Sequence, residues 1–493
     1  MQQRFLSYVG WPRLARLCRP PALLSVCLLV LIAQASAADR FIEIGTPSLA
    51  LDQPRVAVEV VTTKAGHDIS LGPEFSNTFL LDTGSSTVMA VGSAVAELLF
   101  NGYQTVATYD EQGVAGTTPM DVSAPYRLDF AGTNGQRESL DNVRLLSTQA
   151  LNLGGFDGIV GMPAMLNRVI TLDMSVWSDL RDFFMGVDFP DALPASDGHR
   201  YSVPLSMVTF PLDGQRAASD PLPTSVPLPF VPVTMWSAGH SINAQFILDT
   251  GAQLSIISTA VAKALQLDLN NPLFEIDVGG IGGTVTAPVV ATDALALHAG
   301  GVDLVWQHTD VVVADVHPLI AGVLGMDFLS SDWLEHVFFG EPADGAVQKV
   351  HLDFSNGASL SGTMHLELTP QNDHQHVVGD ANGDGQVTGA DYSIWADHFP
   401  TTDGEATRAE GDFNWDGRVT GADYSIWADH FQPVAAALPV PEPATGITGS
   451  TAALFVTVPL LRRRRRRRCV RHLTLGDGSG QSTSDEHNGI VPN

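Results

Sequence analysis

One short phrase is written twice in this chain. Phe79-Leu80-Leu81-Asp82-Thr83-Gly84 and Phe246-Ile247-Leu248-Asp249-Thr250-Gly251 are both apolar runs that end in Asp-Thr-Gly. An apolar run of this length predicts a buried strand, and the glycine after it predicts a tight turn. Each aspartate therefore falls where a buried strand breaks into a loop. A carboxylate there is costly unless it is paired or hydrogen-bonded. Two such positions in one chain predict two carboxylates brought together.

The repetition extends on both sides. Gly66-His67 precedes the first aspartate and Gly239-His240 the second. Downstream, Gly113-Val114-Ala115-Gly116-Thr117 has its counterpart in Gly280-Ile281-Gly282-Gly283-Thr284, and Asp157-Gly158-Ile159-Val160-Gly161-Met162 in Ala321-Gly322-Val323-Leu324-Gly325-Met326. Landmarks repeated in one order mark an internal duplication. A lone Asp-Thr-Gly would carry little weight.

These landmarks resemble the aspartic proteases, over roughly residues 50 to 355. Val278 to Gly283 is similar to the flap tip of retroviral proteases, and Phe156 to Gly161 to the first lobe of pepsin. The resemblance implies a mainly β fold of two pseudo-symmetric β-barrel-like lobes, residues 39–220 and 221–365. It implies an endopeptidase acting on protein or peptide through a water activated by Asp82 and Asp249, with no cofactor for catalysis. Thr83, Gly84, Ser85, Thr250 and Gly251 would support the catalytic loops, the two threonines by hydrogen bonds across the lobe interface. Gly113, Gly116, Gly280 and Gly283 would belong to hairpin flaps that close over substrate. Two carboxyls sharing a proton have split ionisations and titrate as a unit. The hydroxyl that follows Asp-Thr-Gly in this family can donate to the carboxylate and lower its pKa. Here it is present as Ser85 and missing at Ala252, which predicts activity reaching further toward neutral pH. The chain also departs from the family. No tyrosine stands where pepsin's flap tyrosine would, and Thr171 to Asp220 has no counterpart in the second half.

The rest of the body reads as follows. Ala94 to Leu99 predicts a helix, and Met174, Trp177, Leu180 and Phe184 fall at helical spacing with a core-facing stripe. The proline-rich stretch Pro221 to Pro232 predicts the link between the halves. A polar linker, 366–378, follows, in which His374 and His376 read as solvated.

A second repeat comes next, at residues 379–432. Asp380, Asn382, Asp384, Gln386, Thr388 and Asp391 stand at positions 1, 3, 5, 7, 9 and 12 of a loop, with Gly385 at the sharp sixth position. Asp412, Asn414, Asp416, Arg418, Thr420 and Asp423 repeat the pattern. Oxygen ligands at this spacing predict two Ca2+ sites, the seventh position contributing a backbone carbonyl. Tyr392, Trp395 and Phe399 share a helical face and predict a small core. The pair resembles a type I dockerin, which implies a cohesin-like partner. Gly389-Ala390 and Gly421-Ala422 lack the polar pair that dockerins often use for recognition, so a calcium-stabilised stalk is the other reading.

The ends carry sorting signals. Residues 1–38 combine Arg4, Arg13, Arg16 and Arg19, the apolar run Leu23 to Ala33 and Ala35-Ser36-Ala37, the pattern of a secretory signal peptide. Residues 433–443 hold Val440-Pro441-Glu442-Pro443; 444–461 are apolar and long enough to span a bilayer; 462–493 begin with seven arginines and continue as a polar tail. This order resembles a PEP-CTERM sorting signal, which implies an exosortase-type processing enzyme and a transmembrane helix, transient or permanent. The three cysteines, Cys18, Cys27 and Cys469, all lie in these ends, so the body holds no internal disulfide. Setting residues 1–38 and 462–493 aside leaves 14 basic against 51 acidic residues, a net charge near −37. Such a body repels nucleic acid and attracts cations. The expected location is the cell envelope, cell surface or exterior. The competing expectation is a non-catalytic surface scaffold assembled through the dockerin-like module.

Overall fold

The computed structural model describes residues 39–47, 49–177, 184–196, 198–209, 226–331, 333, 347–356, 360–370, 374–402, 404 and 406–432. The signal segment, residues 178–183 of the expected helix, and everything from 433 onward, including the apolar 444–461 segment, lie outside them. No helix among the described residues is long and apolar enough to cross a membrane.

The body is mainly β and repeats its own pairing pattern. In the first half, Thr78–Leu81 runs parallel to Gly158–Val160, with Phe79 opposite Gly158, and Gly158–Val160 is flanked on its other side by antiparallel Val88–Val91. In the second half, the end of His240–Leu248 runs parallel to Gly322–Leu324, with Phe246 opposite Gly322, and Ile256–Ile257 lies antiparallel on the other side. The hairpins before the aspartates turn alike: Ala65-Gly66 and Ala238-Gly239 all have positive φ. Each motif aspartate thus leaves a strand held on both sides.

The glycines opposite the two phenylalanines are forced by contact. Phe79 and Phe246 are fully buried. A Cβ on Gly158 would collide with the Phe79 ring, and one on Gly322 would come within 2.7 Å of Phe246 Cε2. Overpacking of this kind costs about 1–3 kcal/mol. Gly322→Ala is therefore expected to lower the unfolding free energy by that amount, read from the shift of the denaturant midpoint; a midpoint unchanged from wild type would show that the ring can move aside.

Two expectations fail over residues 169–237. Val169–Asp173, Gly186–Asp188 and Arg200–Val208 do not close the first half. They share one 14-stranded sheet with the second half, in which Val169–Asp173 pairs with Val347–Asp353 and Arg200–Val208 with both Ser361–Leu368 and Leu228–Ser237. A boundary at residue 220 therefore cuts a continuous sheet. Pro229 and Pro232 lie inside the strand Leu228–Ser237 and not in a link between the halves. Alternating burial of Val231, Val233 and Met235 outweighs the prolines. The expected helix at 94–99 is present as Gly92–Phe100, with Ala94, Val95 and Leu98 buried. Asp173, by contrast, ends a strand, and Met174 to Trp177 form a turn.

The expected linker is not free. Leu366 and Leu368 belong to a strand, and His376–Val377 pairs with Arg40–Glu43, which itself pairs with Asp303–Val313. His376 is half-buried, and its ring lies 5.4 Å from that of Phe41. The module that follows packs on the body through Trp415, whose ring stands 5.3 Å from Phe41 and 5.1 Å from Trp236. Its helices, Gly389–His398 and Gly421–His430, cover Val387 and Val419, both fully buried, together with Phe413. Tyr392 and Phe399 are exposed. They stack with Trp395 on the surface instead of forming the core. The valine at loop position 8, Val387 in one loop and Val419 in the other, is buried in their place.

Candidate active site

The duplicated pairing delivers Asp82 and Asp249 to one point. The backbone N–H of Asp82 donates to Val160 O and that of Asp249 to Leu324 O, both at 3.0 Å. Each carboxylate then accepts from the glycine of its own triplet: Gly84 N to Asp82 Oδ1 at 2.7 Å and Gly251 N to Asp249 Oδ1 at 2.8 Å. The two loops cross. A Cβ on Gly84 would come within 2.5 Å of Asp249 Cγ, and one on Gly251 within 2.6 Å of Asp82 Cγ. Only a residue without a side chain lets each carboxyl lie over the opposite loop.

The threonines lock this arrangement. Thr83 Oγ1 donates to Leu248 O at 2.6 Å and accepts from Thr250 N at 3.0 Å. Thr250 Oγ1 donates to Leu81 O at 2.7 Å and accepts from Thr83 N at 3.1 Å. Both threonines are buried. All four bonds cross between the halves, so neither loop can shift alone. Burial pushes Asp82 well above the usual carboxylate range, and the charge of the hydrogen-bonded Asp249 adds to this. Burial also raises Asp249, against the hydrogen bonds it accepts from Asp82, Gly251 and Ala252. The pair can hold one proton between two oxygens in a dry site.

The two loops of the C-terminal module differ in readiness for a cation. In the second, one oxygen each from Asp412, Asp416 and Asp423 lies within 4.8 Å of the others. Asp412 Oδ1 is buried without a hydrogen-bond partner, and burial together with the neighbouring charges holds this carboxyl up at about 7. An orphaned oxygen beside two like charges fits a divalent cation. Asn414, Arg418 and Thr420 stand around the same loop, with the Arg418 side chain exposed. In the first loop no three carboxylates converge so closely among the described residues. There Asp380 accepts from Gly383 N and Gly385 N at 2.8 and 2.7 Å, and Asp391 from Asn382 N and Thr388 N at 3.1 and 2.8 Å. Asn382 and Asp384 accept from the backbone of Asp384 and Gln386, as Asn414 and Asp416 do from that of Asp416 and Arg418, so the loops differ in how closely their carboxylates converge and not in these bonds. Asp391 and Asp423 also close capping boxes with Thr388 and Thr420, so the twelfth loop position starts each helix.

Comparison with known families agrees with both regions. Residues 231–328 match the family model described as aspartyl protease, and residues 378–431 match the dockerin type I domain. The chain carries an aspartyl protease-like domain and a type I dockerin domain. The matched protease segment holds Asp249, Thr250 and Gly251; the first half enters through the mirrored pairing. Among solved structures, the chain is similar to basic 7S globulin from soybean (10% identity, 65% of this chain and 97% of that one, TM-score 0.31). It is also similar to a retropepsin-like aspartic protease from Rickettsia conorii (12% identity, 34% and 95%, TM-score 0.19). No curated protein matches the chain.

Around the protease-like site the structure corrects one expectation and adds two residues. Ser85 Oγ lies 3.3 Å from Thr87 O and accepts from Thr87 N at the same distance, so its hydroxyl serves the local turn and not the Asp82 carboxylate. The Ser85/Ala252 difference then has no route to the dyad. Ala252→Ser is expected to leave the basic limb of the kcat/KM profile in place; a fall of about one pH unit or more would restore the hydroxyl's role. Asp327, by contrast, was not legible. It is buried, accepts from Ser255 N and Ser255 Oγ at 2.7 Å each, and is held up at about 7 by burial. Ser255 Oγ in turn accepts from Gly325 N at 2.8 Å, tying the brace behind Asp249 together. The available signal was a lone acid inside the apolar run Leu324 to Leu329. Gln53, whose side-chain amide donates to Gly251 O, gave no signal at all.

The two glycine-rich hairpins meet. Gly113 pairs with Gly116 at one tip and Gly280 with Gly283 at the other. Gly282 N donates to Thr118 Oγ1 at 3.1 Å, and Ala115 N to Ile281 O at 3.4 Å. Ile281 packs on a cluster of the first half that includes Leu80 and Ile159. Leu80 is two residues before Asp82, in the strand that leads to it.

Proposed function

We propose that the chain is an exported aspartic endopeptidase. Residues 39–220 and 221–365 would form its two lobes, with the strands of 169–208 shared between them. The observation that carries this reading is the crossed pair of loops, in which each aspartate overlies the other loop's glycine and four threonine bonds hold both. In the working state one carboxyl is ionised and takes a proton from water, which attacks the carbonyl carbon of the peptide. The protonated partner donates to the carbonyl oxygen, where negative charge develops. Thr83, Gly84, Ser85, Thr250 and Gly251 keep the loops rigid, Ser85 through Thr87. The hairpins bearing Gly113, Gly116, Gly280 and Gly283 close over substrate and exclude water.

The dockerin domain binds calcium in this reading. Asp412, Asn414, Asp416, Thr420 and Asp423 would hold one ion, with the Arg418 carbonyl; Asp380, Asn382, Asp384, Thr388 and Asp391, with the Gln386 carbonyl, would hold a second after rearranging. The ion supplies charge that offsets the clustered carboxylates. A cohesin-type partner would dock the enzyme at the cell surface or outside it, and residues 444–461 would anchor it until an exosortase-type enzyme acts. The test is hydrolysis of casein and a peptide library by the purified protein, with and without pepstatin. Pepstatin-sensitive cleavage is expected; a folded sample inactive from acid to neutral pH would favour a non-catalytic scaffold.

A further inference from the structure

The first hairpin breaks the duplication at one position. Counted back from the tip glycines, Gly113 corresponds to Gly280, Tyr109 to Ile276, and Glu111 to Val278. In both hairpins these residues lie on the half-buried face of the strand. Val278 and Ile276 pack against the cluster of Val323 and Ile256 beside the second catalytic strand. Tyr109 and Ala107 pack in the same way against Leu80 and Ile159 beside the first. Glu111 thus stands where the fold calls for an apolar side chain facing the cleft.

It stands there unpaired. Glu111 Oε2 is shielded from solvent and has no hydrogen-bond partner, and no cation among the described residues pairs with the carboxyl. Burial alone pushes it up to about 7. Its cross-strand neighbour is Thr118, the residue that accepts from Gly282 where the two hairpin tips meet. A buried carboxyl held without a partner at such a place lacks something that arrives from outside. A hydroxyl or an amide could satisfy one oxygen. A cation satisfies both the oxygen and the charge, and the strongly acidic body draws cations to its surface.

We propose that Glu111 is the specificity residue of the cleft, receiving a lysine or arginine side chain of the substrate beneath the first hairpin. This rests on the endopeptidase reading above and goes beyond it by naming a substrate class. The ammonium or guanidinium of the substrate pairs with Glu111 when the hairpins close. Tyr109, on the same face two residues back, supplies the flat surface beside it.

The experiment compares two peptides differing only by lysine against norleucine at the preferred position. That position is first found by mass spectrometry of a cleaved peptide library, using the full-length protein. The wild type is expected to cleave the lysine peptide with a kcat/KM at least about tenfold higher. Glu111→Gln should bring the ratio near one by slowing the lysine peptide alone, and Glu111→Lys should cleave a third peptide, with glutamate at that position, faster than the lysine one. A wild-type library without enrichment of basic residues overturns the proposal. So does a Glu111→Gln variant that slows both peptides equally, since that is a structural effect. Should the wild type cleave nothing, the endopeptidase reading fails. The ratio of Kd values for the same peptides, measured by calorimetry on wild type and Glu111→Gln, then decides the role of Glu111: a lysine preference lost in the variant supports it, and equal affinities overturn it.

Discussion

Asp82→Asn and Asp249→Asn are each expected to lower kcat/KM by about 10^2- to 10^4-fold or more while the protein stays folded. Either change removes half of a proton-sharing pair, and an amide can neither take a proton from water nor share one. The crossed loops predict a second, opposite effect on stability. Both carboxyls are raised in the folded protein, by burial first. The folded state therefore binds their protons more tightly than the unfolded chain. The stability linked to those protons is complete below the ordinary carboxylate value of 3.8 and is lost as pH rises through the folded values. An asparagine cannot ionise, so each variant should melt at or above the wild type near neutral pH, with the gap closing near pH 4. A variant that keeps near-wild-type activity would refute the dyad. A variant that melts well below wild type at neutral pH would show that the carboxylates hold the loops together instead of straining them.

Calcium removal is expected to have the other large effect, confined to residues 379–432. Calcium at a thousandfold its Kd stabilises the form that binds it by about 4 kcal/mol, a large share of what so small a core can supply. Without calcium, the charges of Asp416 and Asp423 press on Asp412, whose Oδ1 is buried and unpartnered. Chelation should melt the helices Gly389–His398 and Gly421–His430 and leave the β body intact, so that the module's calorimetric transition is lost and that of the body remains. Trp415 adds a check, because it sits inside the second loop and packs on Phe41 and Trp236. Its fluorescence should shift to the red on chelation as the ring leaves that contact. Asp423→Ala should reproduce the loss even with calcium present, since it removes both a ligand and the N3 partner of Thr420. A melt that does not respond to chelator would exclude calcium as a structural part of the module.

Much of this protein was written locally. Asp-Thr-Gly needs its glycine because the opposite carboxyl lies over it, and a triplet repeated in register with two further landmarks already implied a paired site. The twelve-residue loops were equally plain, because ligand spacing, the turn glycine and the helix cap are all short-range requirements. What the sequence left open depends on contacts between distant segments. Val169–Asp173 and Arg200–Val208 join the second half by pairing with 347–353 and 361–368, well over a hundred residues away, and no local pattern encodes that choice. The proline-rich stretch became a strand because core burial outweighed its turn chemistry. The module docked because Trp415, unremarkable in a calcium loop, found an apolar patch on the body. Ser85 turned from the dyad to Thr87 because a nearer backbone group satisfied its hydroxyl. Asp327 and Glu111 looked like ordinary acids until burial separated them from solvent: one became a brace, and the other was left facing the cleft without a partner. Chemistry that needs a residue type at a fixed spacing was determined by the chain alone, whereas desolvation and long-range pairing, which set what each group can do, were decided only by the tertiary structure.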